Sequence, residues 1–260
     1  MPVSEALKAD ALLLHDAVRE AGELGRALSK RRDLKRWTKP DGSQVTEGDL
    51  AINELFEERL RKARPDYGWL SEETPDAPAR MAQERLWIID PIDGTRAFIE
   101  GRKEWCVAAA LAVNGRPVLG AVYRPKLEEF YWASAGGGAS LNGDPLSIPD
   151  SDSLRGARIA GNRKALKHLD HLGISEDVGG ALPLRLAGAA AGGLNAAVSV
   201  GKRNDWDLAG GKLLVIEAGG AVSAVSGEGY IYNRPEPWQQ GLVAAGAKRH
   251  AALIEALRMK

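Results

Sequence analysis

Four short stretches of this chain hold side chains that can do chemistry together. The densest is Trp87-Ile88-Ile89-Asp90-Pro91-Ile92-Asp93-Gly94-Thr95-Arg96-Ala97-Phe98. An apolar run that fits a buried strand ends in a carboxylate. Pro91 is expected to force a turn, a second carboxylate follows, and Gly94-Thr95 opens the next element. Asp90 and Asp93 therefore converge at a strand end. Two close carboxylates repel unless a cation lies between them. Hard oxygen ligands select Mg²⁺, Mn²⁺ or Ca²⁺ over softer metals. The backbone N–H groups of Gly94 and Thr95, at a predicted helix start, can hold a phosphate. The competing reading is an Asp-Gly turn with ordinary caps, and the full run weakens it.

The other three stretches are individually ambiguous. Ser71-Glu72-Glu73-Thr74-Pro75 follows a predicted strand at 67–70 and on its own reads as a solvated loop. In Asp205-Trp206-Asp207-Leu208-Ala209-Gly210-Gly211, capping alone accounts for an Asp at a helix start. Thr46-Glu47-Gly48-Asp49 reads equally as a variant of the capping box. His15, His168, His171 and His250 lack metal-ligand spacing and read as surface residues. No Gly-x-Ser-x-Gly elbow and no Walker-type phosphate loop is present.

Hydrophobic periodicity supplies the elements that must position these groups. Helical spacing of Leu7, Ala11, Leu14, Val18, Ala21 and Leu28 predicts one amphipathic helix over 4–30. Residues 31–45 are rich in Lys and Arg, contain Pro40-Asp41-Gly42 and read as a loop. A second helix is expected over 46–62, stopped by Pro65. Strands are expected at 86–89, 107–113 and 118–123, the last two joined by Asn114-Gly115, a strong hairpin signal. Phe130-Tyr131-Trp132 suggests another, and Gly136-Gly137-Gly138 and Asn142-Gly143 mark turns. The first half thus reads as two helices on an antiparallel sheet.

Beyond 150 the pattern alternates. Strands are expected at 158–160, 197–200, 221–225 and 242–245. Helices are expected at 164–172, 185–196, 207–218 and 250–259. The fold class is therefore α+β passing into α/β, with an N-terminal unit over 1–150 and a C-terminal one over 151–260 that supplies Asp207.

Composition excludes several functions. The 260 residues balance 35 Lys+Arg against 35 Asp+Glu, which gives no broad electrostatic footprint for nucleic acid. No run approaches the ~20 apolar residues of a membrane span. The single Cys106 permits no intrachain disulfide and no multi-cysteine zinc set. A reducing compartment, the cytoplasm, is the expected location.

Taken together, the motifs resemble those of the inositol monophosphatase superfamily. The resemblance rests on Ser71-Glu72-Glu73-Thr74, Asp90-Pro91-Ile92-Asp93-Gly94-Thr95-x-x-Phe98, and Trp206-Asp207-x-Ala209-Gly210 running into Glu217-Ala218-Gly219-Gly220. Thr46-x-x-Asp49 and the Asn142-Gly143 turn also match. Order and spacing agree from about residue 5 to 255. The resemblance implies a layered α/β/α/β/α sandwich, a homodimer and two or three Mg²⁺ ions per site. It implies that Glu72, Asp90 and the Ile92 carbonyl hold the first ion, and Asp90, Asp93 and Asp207 the second. Glu72 also touches a weaker third ion. Thr95, bonded to Asp49, orients and helps deprotonate the attacking water. Gly94 and Thr95 contact the phosphate, and Lys39 lies near the site's edge.

The expected activity is hydrolysis of a small soluble phosphate monoester. Inositol-specific relatives carry an acid where this chain has Val200, and a Gly-Ser pair where it has Gly180-Ala181. Lys202 and Arg203 can instead meet a second phosphate, or can simply face water. With Thr95-Arg96-Ala97-Phe98, this is similar to bacterial members that remove the 3′-phosphate of 3′-phosphoadenosine 5′-phosphate. The expected substrate is thus a 3′(2′),5′-bisphosphate nucleotide, with Asp207, Lys202 and Arg203 among its contacts. Inositol 1-phosphate and histidinol phosphate are the alternatives, and a non-catalytic binder of metal or phosphate is the rival from another class.

Overall fold

The computed structural model describes residues 5–40, 42–149, 151–177 and 180–258. Asp41 of the expected turn and Met259 of the expected last helix lie outside them. Helix α1 (Glu5–Leu28) buries Leu14, Ala17, Val18 and Ala21 and leaves its charged face in water. Each such aliphatic burial contributes roughly 1.5–3 kcal/mol for the larger side chains.

The expected loop at 31–45 is instead a hairpin of β1 (Arg36–Thr38) and β2 (Gln44–Thr46). Its strand residues Trp37, Thr38, Val45 and Thr46 are aromatic or β-branched, and charge at the flanks masked that signal. Gly42, at φ 84°, closes the turn. Helix α2 (Glu47–Phe56) continues as one π turn over Glu57–Arg61.

The larger sheet has seven strands: β3 (Gly68–Ser71), β4 (Arg85–Asp93), β5 (Cys106–Val113), β6 (Arg116–Arg124), β7 (Glu129–Ser134), β8 (Gly138–Leu141) and β9 (Asp144–Pro145). Only β3 runs parallel to its neighbour β4; the remaining pairs are antiparallel. The Asn114-Gly115 hairpin forms as expected, with φ 48° and 72°. Between β4 and β5 comes a short helix, α3 (Thr95–Ile99).

The second sheet has five strands in the order β11-β10-β12-β14-β13. They are β10 (Arg158–Gly161), β11 (Ser175–Asp177), β12 (Ala196–Asn204), β13 (Gly220–Ser223) and β14 (Trp238–Gly246). Its helices are α4 (Arg163–Lys167), α5 (Leu182–Ala190), α6 (Asp205–Glu217) and α7 (Ala247–Arg258). The expected helix at 164–172 breaks after α4 into a separate 3₁₀ turn, Asp170–Leu172. The helix expected at 185–196 starts earlier, at Leu182, with Pro183 in its first turn, and ends before Gly192, whose φ is 74°.

Helices α1 and α2 lie on one face of the large sheet, and α6 lies on strands β5, β6 and β7. Helices α5 and α6 also touch β12 and β14, and α4 and α7 cover the small sheet's other face. The expected five-layer α/β/α/β/α sandwich is the observed one. Helix α6 reaches the sheet closely because a Cβ on Gly210 would meet Ala109 O and Ala121 O at 3.0 Å. That approach seats Asp207 beside the end of β4.

Candidate active site

Strand β4 does not turn at Pro91. Its register with β5 jumps from Asp90↔Ala108 to Asp93↔Cys106, which leaves Pro91 and Ile92 outside the ladder. Proline lacks the N–H a ladder needs, so a bulge is where it fits in a strand. The bulge brings Asp90 and Asp93 towards one point and frees the Ile92 carbonyl, which accepts the Thr95 hydroxyl at 3.2 Å. Gly94 then takes φ 91°, and a Cβ there would lie 2.7 Å from Glu104 O, so only glycine fits this corner.

Asp207, from the first turn of α6, completes the cluster. Asp90, Asp93 and Asp207 each offer an oxygen within 4.8 Å of the others. Asp90 is 1% exposed, and neither of its carboxylate oxygens has a hydrogen-bond partner. Burial raises all three carboxyls above their usual range, and mutual repulsion with Glu72 adds to it. Leu182 N, at the start of α5, donates to Asp93 Oδ2 at 3.0 Å and fixes that side chain. Buried, unpartnered acidic oxygens of this kind fit a hard divalent cation.

Glu72 follows β3, and its carboxylate faces Lys39 on the β1–β2 hairpin at 3.0 Å. Lys39 also meets Glu73 at 2.7 Å, so the hairpin is tied to the site's edge. Asp49 is buried at the start of α2. Its Oδ2 accepts Thr46 N at 2.7 Å and Thr46 Oγ1 at 2.6 Å, the capping box expected from the sequence. Its Oδ1 accepts the Thr95 hydroxyl at 3.3 Å. The bland and the chemical readings of Asp49 therefore coexist. Burial, opposed by the Thr46 hydrogen bonds, raises the Asp49 carboxyl to about 7.

A cleft of about 340 Å³ opens over Asp93, Gly94 and Asp207, with Arg96, Arg185 and Arg203 on its walls. Arg102 also lines it but is paired with Glu100 at 2.6 Å and Glu104 at 3.2 Å. Arg203 is anchored by Ser199 Oγ at 2.6 Å and Val200 O at 3.0 Å. Lys202 lies outside the cleft lining, its amine 3.8 Å over the Trp238 ring.

A sequence profile of the inositol monophosphatase family matches residues 10–260. The chain belongs to that family. Like the members of the inositol monophosphatase family, it is a phosphatase, a phosphoric monoester hydrolase. An inositol-1-monophosphatase of Mesorhizobium japonicum is 33% identical over 231 residues, covering 83% of this chain and 86% of its own. A Nus factor SuhB of Pseudomonas aeruginosa is 33% identical over 258 residues, with 93% of each covered. The crystal structure of the suppressor protein suhB from Bartonella henselae aligns with TM-score 0.84 at 27% identity, covering 96% of this chain and 99% of that one.

Against the family pattern, the structure gathers Asp90, Asp93 and Asp207 and sets Thr95 on Asp49. Glu72 and Lys39 meet at the rim. Sequence reasoning did not single out Arg185 or Asn162, which the fold brings to the cleft from α5 and the start of α4. No local signal marks Arg185, since a lone arginine in a helix usually faces water. Three histidines are less exposed than expected: His168 is half-buried, His15 packs on Phe130 with ring centroids 4.7 Å apart, and His250 meets Ser223 Oγ at 2.9 Å.

Proposed function

We propose that this phosphatase removes one phosphate from a small metabolite that carries a second anionic group. A 3′(2′),5′-bisphosphate nucleotide such as 3′-phosphoadenosine 5′-phosphate fits that description. The observation that carries the reading is one cleft holding both the Asp93 and Asp207 carboxylates and three arginines, Arg96, Arg185 and Arg203. The carboxylates suit metal-assisted ester cleavage, and the arginines suit an anion a short way from the scissile bond.

In this reading Glu72, Asp90, the Ile92 carbonyl, Asp93 and Asp207 would hold Mg²⁺, two or three ions. Bound Mg²⁺ supplies charge neutralisation, a more acidic water and a stabilised leaving oxygen. Thr95 orients the attacking water through its hydroxyl. Asp49 sits 3.3 Å behind that hydroxyl and, with its carboxyl near 7, is matched to accept a proton at neutral pH. The N–H groups of Gly94 and Thr95 hold phosphoryl oxygens. Arg203, anchored by Ser199, meets the second anion, and Lys202 packs on Trp238 behind it. The proposal includes a homodimer in the cytoplasm, checked by light scattering of the purified chain and by cell fractionation.

An inositol monophosphate is the second reading, favoured by the name of the Mesorhizobium relative. Val200 and Ala181 weigh against it, because neither can hydrogen-bond a substrate hydroxyl. Phosphate release from adenosine bisphosphate, inositol 1-phosphate, histidinol phosphate and sugar phosphates separates these. The expected result is highest kcat/KM on the bisphosphate, with Arg185→Ala and Arg203→Ala each lowering it at least about tenfold. Equal slow turnover of every ester, or equal losses on all of them, would overturn the bisphosphate assignment.

A further inference from the structure

A second cavity, of about 560 Å³, shares no lining residue with the active-site cleft. Its volume is in the range of metabolite pockets. Pro117, Leu213, Ile216, Val222 and Ile231 give it apolar walls, and Ile231 is 61% exposed at its lip. Glu217 lies in the lining, but its two oxygens accept Gly136 N and Gly138 N, both at 3.0 Å. The polar groups left to face a ligand are Arg116 and Lys212, because the Tyr230 hydroxyl is engaged by Gly241 O at 2.6 Å and Ser223 O at 2.9 Å.

Lys212 is the unusual member. It lies on α6, five positions after Asp207 and hence about 140° around the helix from it. Its side chain is buried, 9% exposed, among the rings of Tyr232 and Tyr230, 5.3 and 5.9 Å from the amine. The amine's one hydrogen bond is a long 3.5 Å contact to Tyr230 O. Among the described residues no carboxylate lies within ion-pair distance of it. The buried Asp205 instead accepts Gln239 Nε2 at 2.7 Å.

A buried lysine is ordinarily held by a carboxylate. Here burial, with the neighbouring Arg116 charge, pushes the amine down to about 8, against a smaller opposing pull from Asp205. Such an amine is a nucleophile near neutral pH, and a guanidinium stands in the same cavity to hold an anion.

We propose that this cavity is a reactive-amine site for a small anionic aldehyde with an apolar body. Arg116 binds the anionic group while the Lys212 Nζ lone pair attacks the carbonyl carbon. A carbon–nitrogen bond forms, the carbonyl oxygen leaves as water with two protons from the amine, and an imine remains. No redox step is involved, and the linkage reverses by hydrolysis.

The test is competitive labelling of the Mg²⁺-loaded protein with 4-carboxybenzaldehyde at pH 7.5, trapped by cyanoborohydride and mapped by peptide mass spectrometry. An amine near 8 has a neutral fraction on the order of 100-fold larger than an ordinary lysine near 10.4. Lys212 is therefore expected to label at least about tenfold faster than the exposed Lys164 and Lys167. Lys212→Arg should remove the fast site, and Arg116→Ala should slow labelling by the carboxylated aldehyde several-fold more than by benzaldehyde, which loses only the lowering of the amine by the Arg116 charge. Lys212 labelling no faster than Lys164 and Lys167 in the unsubstituted protein would overturn the reactive amine. Equal slowing of both aldehydes by Arg116→Ala would overturn the anion contact. Neither readout depends on phosphate release.

Discussion

Replacing Asp90 with Asn should inactivate the enzyme and, without metal, stabilise it. Asp90 is 1% exposed, its oxygens have no hydrogen-bond partner, and burial beside Glu72, Asp93 and Asp207 raises its carboxyl well above the usual range. In EDTA the folded protein must therefore bury either an uncompensated charge or a proton that the unfolded chain would release. An uncompensated buried charge costs about 3–5 kcal/mol. Asparagine removes that cost but buries an amide short of partners, at about 1–3 kcal/mol. The net expectation is a gain of about 2 kcal/mol, which raises Tm by roughly 4–8 °C for a chain of this size. Turnover at saturating Mg²⁺ should fall by more than about 100-fold if, as proposed, Asp90 is a ligand in a metal-assisted step. Thermal melts with and without Mg²⁺, beside phosphate release, read both effects. An Asp90→Asn protein that melts below the unsubstituted one in EDTA, yet keeps its Mg²⁺-induced stabilisation and activity, would refute the reasoning.

Four further outcomes follow from the same geometry. Asp93→Asn should lower turnover by more than about tenfold while leaving the circular dichroism spectrum unchanged, because Leu182 N can still donate to the amide oxygen. Thr95→Val should cut kcat by about 100-fold with little change in KM; Asp49→Ala should do the same and also lose about 1 kcal/mol of stability in urea melts, because Thr46 N loses its acceptor in the α2 capping box. In EDTA, urea midpoints should fall as pH rises from about 4 through 7 and beyond. Burial raises Asp49 to about 7 and lifts Asp90, Asp93 and Asp207 as well. The folded state therefore binds protons more tightly than the unfolded chain, and loses that advantage as they leave. Saturating Mg²⁺ should flatten that fall, and an unchanged slope would count against the metal assignment.

Much of this fold was legible because its signals are local. Asn114-Gly115 takes the positive φ values its hairpin needs, and Gly219, at φ 89°, ends α6 where the periodicity stops. The acid-rich run at 90–95 likewise announced a site. What stayed hidden depends on distant partners. Pro91 reads as a strand end, yet pairing with β5 resumes at Asp93 and turns the break into a bulge. The hairpin at 36–46 looks like loop because its charged flanks outweigh a few β-branched residues. Lys39 gains meaning only when that hairpin folds over Glu72 and Glu73, and Arg185 only when the start of α5 meets Asp93 at the end of β4. Such meetings across up to about a hundred residues leave no trace in spacing.

The central claim is that acidic oxygens from β4 and α6 share a divalent cation, and a crystal grown with Mn²⁺ tests it most directly. Anomalous difference maps should show a peak bounded by Asp90, Asp93 and Asp207, at oxygen distances of roughly 2.0–2.3 Å. A fully active protein whose only Mn²⁺ peaks lie away from these three carboxylates would contradict it.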